Sequence, residues 1–265
     1  MKRRIGNKKA QAGPPKKVGL ARALSKLGYC SRSRAAELIA GGRVKWNGAV
    51  RRDPETPVHL GKDRIEIDGQ PLTDRSKVYL ALNKPRGVVT TAADEKGRKT
   101  VYAYLSEGLP WIAPVGRLDQ ASEGLLLLTN DSEWAACITA PATHLDKTYH
   151  VQISAIADEA LLQALRNGIR ASDGEFLRLK NVKILRQGER HSWLEIILDE
   201  GKNRHIRRML EERKIEVLRL VRVAIGPLAL GDLAKGATRA LAHEEKQALD
   251  RAMRSPIRDP ASSAR

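Results

Sequence analysis

Three segments of this 265-residue chain place acidic, aromatic and basic side chains where they could take part in a reaction. In the first, Arg117 and Asp119 lie at the tip of a turn, before an apolar run at 125–128 that suits a buried strand. A charged pair beside a buried strand is costly unless it is matched and used, so Asp119 is the first candidate for a reacting group. In the second segment, Tyr149 lies among basic and polar residues. The third contains Asn203, which can cap a helix that begins with a run of arginines.

The arginine-rich third segment, residues 200–210, suggests contact with an anion. Apolar residues repeat along it at helical spacing and must face a core, so Arg204 and either Arg207 or Arg208 share the other face. The amino terminus of a helix adds positive potential at that place. These features together suit binding of phosphate groups.

Each segment also has a purely structural explanation. Asp119 could cap or brace a turn, Tyr149 could be an ordinary half-buried strand residue, and the arginines could form a solvated face. Taken one at a time, these explanations stay open, because a signature of four residues is weakly specific.

The composition indicates a polyanionic partner. The net charge is +17, and the isoelectric point is about 10.1. Such an excess favours nucleic acid, while an aromatic content of 4% argues against a stacking platform for unstructured strands. The two cysteines and the scattered histidines have no metal-binding spacing, so we expect no metal and no cofactor. No apolar segment is long enough for export or membrane insertion, which predicts a cytoplasmic protein.

Composition shifts divide the chain into five parts. Residues 1–17 are basic without any acid and predict a disordered arm, and residues 255–265 predict a disordered tail. Two folded blocks are expected between them, at 18–72 and 78–254, with a polar linker at 73–77.

The first block predicts two short helices followed by a small twisted sheet. A helix with apolar spacing can end at Gly28, and Ser31 or Ser33 can cap the second helix. Asn47-Gly48 is the strongest short hairpin signal. Basic residues cluster around the second helix and the first hairpin strand, and this order and content resemble an S4 RNA-binding domain. A merely solvated basic face is the alternative. The basic residues are Arg32, Arg34, Arg43 and Lys45.

The second block predicts an α+β fold, a mixed and mostly antiparallel sheet with helices packed on it, because strands outnumber helices without strict alternation. Strands are predicted at about 78–82, 125–129, 148–153, 177–185, 193–198 and 217–225, and helices at about 158–167, 203–214 and 243–253.

The motifs of this block, taken in order, resemble the bacterial ribosomal pseudouridine synthases that carry an N-terminal S4 domain. The matching stretches are Asn83-Lys84-Pro85-Arg86-Gly87, Gly116-Arg117-Leu118-Asp119, residues 124–130, Lys147-x-Tyr149 and residues 201–209. The resemblance covers about residues 18 to 240. Two departures are mild: a serine stands at 122 where the family often has threonine, and a histidine at 205 where it often has glutamine.

The resemblance implies that Asp119 attacks the target uridine, at the sugar or at the base, so that the base detaches, rotates and rejoins through carbon. Arg117 would fill the gap left by the extruded base. Tyr149 would pack on the flipped ring. A nucleophilic carboxylate must stay ionised where water is excluded, and a bidentate arginine favours the charged form. Arg207 is the matching position, with Arg204 or Arg208 as alternatives.

Further expectations follow from the same resemblance. Lys84 and Pro85 would form a structural motif near the site, and Lys202, Arg204 and Arg208 would contact RNA. The partner would be ribosomal RNA or an assembling ribosomal subunit, with 23S RNA preferred over 16S RNA. Independently of the resemblance, a monomer is the default expectation. The competing hypotheses are a non-catalytic ribosome-assembly factor and, less well supported, a DNA-binding regulator.

Overall fold

The computed structural model describes residues 17–73, 76–92, 94 and 96–254. The chain forms two compact units that divide between Ser76 and Lys77. The predicted basic arm up to residue 16, residues 74 and 75 of the predicted linker, and the predicted tail at 255–265 lie outside the described residues. None of the helices in the described part is long and apolar enough to cross a bilayer.

In the N-terminal unit, the part that the structure describes has two helices and two small sheets. Its elements are β1 Val18–Gly19, α1 Leu20–Lys26, α2 Arg32–Ala40, β2 Val44–Trp46, β3 Ala49–Arg51, β4 Pro57–Val58, β5 Ile65–Ile67 and β6 Gln70–Pro71. β1 pairs with β4, and the other four strands form an antiparallel sheet in the order β3-β2-β5-β6.

The local signals predicted for this unit are confirmed. Gly28, with φ of 71°, follows the end of α1, and the Ser31 hydroxyl caps α2 by accepting a hydrogen bond from the Arg34 N–H at 3.1 Å. Asn47 and Gly48 both have positive φ and close the β2–β3 hairpin. Apolar residues from both helices and from the sheet share one core. Burial of these side chains is therefore what holds the helices on the sheet.

The described residues of the C-terminal unit form eleven strands, four α-helices and two short 3-10 turns. Its strands are β7 Tyr79–Lys84, β8 Ala113–Pro114, β9 Glu123–Thr129, β10 Lys147–Ile153, β11 Ile169–Arg170, β12 Phe176–Leu177, β13 Asn181–Gln187, β14 Ser192–Leu198, β15 Val217–Ile225, β16 Leu228–Ala229 and β17 Thr238–Ala240. Its helices are α3 Ser132–Thr139, α4 Glu159–Arg166, α5 His205–Glu211 and α6 His243–Arg254.

The main sheet of this unit is mixed and mostly antiparallel, as predicted. Its strand order is β13-β14-β10-β15-β9-β7-β17, with β8 beside β9 and β16 beside β15. Only the short β15–β9 pairing is parallel among the described strand pairs. A side chain at position 124 could not be accommodated there: a Cβ on Gly124 would lie 2.3 Å from the Arg222 carbonyl oxygen. Gly124 therefore permits the close approach that joins the two halves of the sheet.

Three clusters of apolar side chains pack around this sheet. All seven residues of β9 are buried, because separate clusters cover the two faces of β7 and β9. A third cluster holds α4 and α5 against one face of β10, β13, β14 and β15. The strand carrying Tyr149 is thereby fixed between a helix layer and its two neighbouring strands.

Two local predictions were wrong. The single strand predicted at 177–185 is two strands, because Leu177 pairs with Ile169 in a separate hairpin and β13 joins the main sheet. Asn203 does not cap α5: Arg204 is the residue before the helix, has a φ of 46° and makes no side-chain capping bond. Alternating leucines alone could not distinguish one strand from two, since both arrangements bury them.

Candidate active site

The turn that carries Asp119 is fixed mainly through its main chain. The Ser122 N–H donates to the Asp119 carbonyl at 2.9 Å, which closes the turn just before β9. The Gly87 N–H donates to the Gln120 carbonyl at 2.8 Å, and the Gln120 side-chain amide donates to the Gly87 carbonyl at 3.2 Å. These bonds tie the turn to the segment that follows β7.

Lys84 supports the same turn from below. Its side chain is fully buried, and its Nζ donates to the carbonyls of Ser122 at 2.8 Å, Asp119 at 3.1 Å and Pro85 at 3.2 Å. Burial lowers the pKa of Lys84 to about 8, although the negative charges of Asp119 and Glu123 act in the opposite direction. Lys84 therefore supports the turn and does not line the cavity, which agrees with the structural role that the resemblance implied for this motif.

Asp119 lies in the wall between two cavities. One, of about 390 Å³, is also lined by Tyr149, Arg204 and Arg207, and the other, of about 420 Å³, lies beside residues 89–91. Arg117 lines both cavities and is exposed, whereas Asp119 is half-buried. The structure thus brings together all three residues predicted to be catalytic, with Arg117 beside them.

Arg207 does not form the expected bidentate ion pair with Asp119. Its two Nη atoms donate to the carbonyls of Val217 at 3.2 Å and Ala121 at 3.0 Å, and its buried Nε has no partner. Burial and the neighbouring Arg204 lower the pKa of Arg207, while the negative charge of Asp119 raises it. The arginine is therefore near enough to Asp119 to interact through charge, but its guanidinium is held by main-chain oxygens of the turn and of β15.

Tyr149 is placed by strand pairing. It stands opposite Ile196 of β14 and Arg222 of β15, and its ring packs against two of the apolar clusters. The exposed part of the ring lines the cavity. A half-buried aromatic ring beside a carboxylate offers a flat apolar surface on which a planar base can stack.

The remaining basic residues predicted here have different surroundings. Arg208 is paired with Asp173 at 2.6 Å and Glu175 at 2.7 Å, and it does not line the cavity. Lys202 lines the cavity and pairs with Glu200 at 3.2 Å, whereas Arg204 is exposed at the cavity edge. Contact of Arg208 with RNA would require exchange of its carboxylate partners.

The four basic residues predicted to bind RNA in the N-terminal unit are exposed, and two of them form ion pairs. Arg34 pairs with Glu37 at 2.7 Å, and Arg43 pairs with Asp68. The other two members, Arg32 and Lys45, form no ion pair with a described residue. Exposed pairs of this kind contribute little to stability, so all four side chains can turn toward a phosphate at low cost.

Two cationic residues of the cavity, Lys147 and Arg222, were not predicted from the sequence. Lys147 belonged to a matched motif but was given no role, and Arg222 stands in a strand that was predicted only as apolar. The sequence signal that could have indicated Arg222 is its position inside a strand that is otherwise rich in apolar residues. No group of three or more potential metal ligands occurs within the described ranges.

Comparisons with known proteins agree on both units. Residues 78–212 match the family model described as RNA pseudouridylate synthase, and residues 18–65 match the S4 domain. An uncharacterized RNA pseudouridine synthase of Rickettsia prowazekii is 39% identical over 82% of this chain and 91% of its own length. The ribosomal large subunit pseudouridine synthase B of Bacillus subtilis is 38% identical over 86% of this chain and 94% of its own length.

A solved structure has the same architecture. A crystal structure of a pseudouridylate synthase superposes with a TM-score of 0.62 and 28% identity, and covers 88% of this chain and 99% of its own.

Proposed function

Because the chain belongs to the family of RNA pseudouridylate synthases, we propose that it isomerises a uridine of ribosomal RNA, with Asp119 as the catalytic carboxylate. The observation that supports this most is the position of Asp119. It is half-buried, on a turn supported by the buried Lys84, in the wall of a cavity that also contains Tyr149 and Arg207. A carboxylate in such a setting is available to a nucleoside that enters the cavity.

The reaction breaks the bond between the uracil N1 and the sugar C1′ and forms a bond between C5 and C1′. No electrons are gained or lost overall: the C5 proton leaves, N1 takes up a proton from solvent, and any bond between Asp119 and the nucleoside breaks again, so the carboxylate is regenerated. The target nucleoside must leave its stack to reach Asp119, and Arg117, exposed beside the cavity, is placed to occupy the vacated position. Asp119 would attack either the sugar C1′ or the ring C6, or act through a glycal.

Tyr149 and Arg207 would assist in different ways. The Tyr149 ring would hold the detached uracil by stacking while the base turns, and it would assist removal of the C5 proton. Arg207 would keep positive charge near the reacting carboxylate and hold the turn through the Ala121 carbonyl. Of the three arginines considered, Arg207 fits this role best, because Arg208 is paired elsewhere and Arg204 is exposed.

The RNA would be held mainly by charge. Arg32, Arg34, Arg43 and Lys45 of the N-terminal unit are proposed to contact phosphates, together with Lys202 and Arg204 at the cavity. Large-subunit RNA (23S) is the proposed substrate, in line with the name of the Bacillus subtilis relative, a ribosomal large subunit pseudouridine synthase. We propose that the protein acts in the cytoplasm as a monomer on ribosomal RNA or an assembling subunit.

The competing proposal is an RNA-binding assembly factor without activity. It requires the cavity to be vestigial, yet Asp119, Tyr149 and Arg207 remain together, and a buried lysine is retained to support the turn. An assembly factor without activity would not require a carboxylate, an aromatic ring and an arginine to line one cavity. The enzyme is therefore the better-supported proposal.

Release of tritium from ribosomal RNA labelled at uridine C5 tests the activity directly. Wild type should release the label, and Asp119→Asn should lower the rate by on the order of a thousandfold or more, since the amide cannot act as a nucleophile. Asp232→Asn, an exposed carboxylate outside the cavity, is the matched control and should retain full activity. Full activity of the Asp119 variant would contradict the site assignment, and an inactive wild type would favour the assembly factor.

A further inference from the structure

Arg222 is a buried cation of the cavity to which the proposed mechanism gives no role. Its residue is only 6% exposed, and it stands directly opposite Tyr149 in the antiparallel pair of β10 and β15. Its Nε donates to the Leu125 carbonyl at 2.7 Å, whereas its buried Nη2 has no partner. Within the part of the chain that the structure describes, Arg222 forms no ion pair.

Lys147 is a second cation beside it. It precedes Tyr149 by two residues on the same strand, so both side chains emerge on the same side of the sheet, and Lys147 also lines the cavity. Burial lowers the pKa of Lys147, and the positive charge of Arg222 lowers it further, while the negative charges of Asp146 and Asp199 act in the opposite direction. The two cations are therefore close enough to repel each other, and no described carboxylate forms an ion pair with either.

The backbone holds Arg222 in this unfavourable place. The pairing of β10 with β15 shifts by one residue at Val223, and such a bulge re-aims the adjacent side chain. On its other side, the main chain of Arg222 lies against Gly124, where a Cβ would come within 2.8 Å of the Arg222 nitrogen. Arg222 is thus rigidly fixed to the strand that begins four residues after Asp119.

The lining of the cavity carries more positive than negative charge. Six lysine and arginine residues line it against three carboxylates, and one of these carboxylates, Glu200, is already paired with Lys202. A buried cation without a counterion destabilises the unliganded protein. An anionic ligand that pairs with this cation removes that penalty, and the gain adds to the affinity for the ligand. The permanent anions of an RNA are its phosphodiesters, because uracil is neutral until its bond to the sugar breaks.

We propose that Lys147 and Arg222 form an anion subsite that binds one phosphodiester next to the target nucleoside. This inference rests on the proposed function, since it assumes that a nucleotide of RNA enters the cavity. The subsite would fix the strand beside the base that stacks on Tyr149, so that the sugar is presented to Asp119. Its ligand class is a phosphate ester attached to a uridine.

The test measures the affinity of the full chain for uridine, uridine 5′-monophosphate and uridine 3′-monophosphate by NMR titration. Wild type should bind at least one monophosphate about tenfold or more tightly than uridine, because a hydrogen bond to a charged group contributes that much. Arg222→Gln and, separately, Lys147→Met should each reduce this preference severalfold while leaving uridine affinity unchanged. Arg186→Gln, an exposed arginine over Trp193 outside the cavity, is the matched control and should keep the full preference.

Several outcomes would overturn the inference. In the first, wild type binds both monophosphates no more tightly than uridine. In the second, both variants keep the full preference for the monophosphate. In the third, Arg222→Gln loses uridine and monophosphate affinity equally, which would place the base on Arg222. If Arg222→Gln fails to fold, Lys147→Met at its half-buried position carries the test. Tritium release by wild type is measured separately, so an inactive enzyme that still prefers the monophosphate would refute the proposed function alone.

Discussion

Replacing Lys84 with methionine should make the stability of the C-terminal unit less dependent on pH above pH 8. Burial lowers the pKa of this lysine from 10.5 to about 8 in the folded protein. Because the folded-state pKa lies below the unfolded value, the protonated lysine opposes folding fully below pH 8 and not at all above about pH 10.5. The stability of wild type relative to Lys84→Met should therefore rise through this window.

The size of the effect follows from the two pKa values. Their difference, at about 1.4 kcal/mol per pKa unit, corresponds to a relative gain of about 3 kcal/mol for wild type between pH 8 and pH 10.5. Methionine is similar in length and carries no charge, but it leaves three carbonyl oxygens without their donor. That absence costs about 1 kcal/mol or more for each oxygen at every pH, so it shifts the whole curve without changing its slope.

The chain allows this to be measured on one unit at a time. Trp46 lies in the N-terminal unit, whereas Trp111, Trp134 and Trp193 lie in the C-terminal unit. In a Trp46→Phe background, urea unfolding followed by tryptophan fluorescence therefore reports on the C-terminal unit alone. The free energy of unfolding is measured at half-unit steps from pH 7 to pH 10.5, for both the parent and Lys84→Met.

Parallel curves for the parent and Lys84→Met would contradict this account, because they would mean that Lys84 titrates alike in the folded and unfolded states. Lys96→Met replaces an exposed lysine and should run parallel to the parent. Turnover adds an independent check: Lys84→Met should lose most tritium release with little change in RNA affinity, since the lysine contacts the turn and not the RNA.

Three further predictions concern the turn, the RNA and the sheet. Arg207→Ala should reduce tritium release by on the order of a hundredfold with nearly unchanged RNA affinity, and a large affinity loss would instead make it a phosphate contact. Arg32→Gln together with Lys45→Gln should reduce the slope of log affinity against log salt by about 0.7 for each phosphate that is no longer neutralised, and an unchanged slope would remove the N-terminal unit from the RNA interface. Gly124→Ala should destabilise the C-terminal unit by about 3 kcal/mol or more in urea unfolding, while Gly174→Ala, with positive φ but open space, should cost about 1 kcal/mol; equal losses would contradict the packing argument.

Much of the fold was predictable because it depends on local signals. Glycines with positive φ, a serine cap and an Asn-Gly hairpin act within a few residues, so they could be identified without tertiary information. The buried run after Asp119 was likewise predictable, since a continuous apolar stretch indicates a strand covered on both faces. The order of the motifs then indicated which side chains share a site.

The sequence could not predict the features of the site that depend on contacts between residues far apart in the chain. The residue that Arg207 pairs with depends on the distance between a helix and a turn 86 positions away. The inward direction of Arg222 depends on a bulge at Val223 and on the close approach of Gly124, neither of which has a composition signal. A strand predicted from apolar residues alone gives no reason to single out the arginine within it.

Three of the basic side chains around the site, those of Lys84, Arg207 and Arg222, are held in the same way. Lys84 donates to the carbonyls of Asp119 and Ser122, Arg207 to that of Ala121, and Arg222 to that of Leu125. All these acceptors are main-chain oxygens of residues 119–125, which are chemically alike whatever the side chains, so sequence cannot reveal them. Since Lys84 and Arg207 are anchored on the backbone, the Asp119 carboxylate has positive charge nearby without being bound in an ion pair with either. For the nucleophile that we propose, this arrangement supplies charge that favours the ionised carboxylate while both of its oxygens stay free of ion pairs with the described residues.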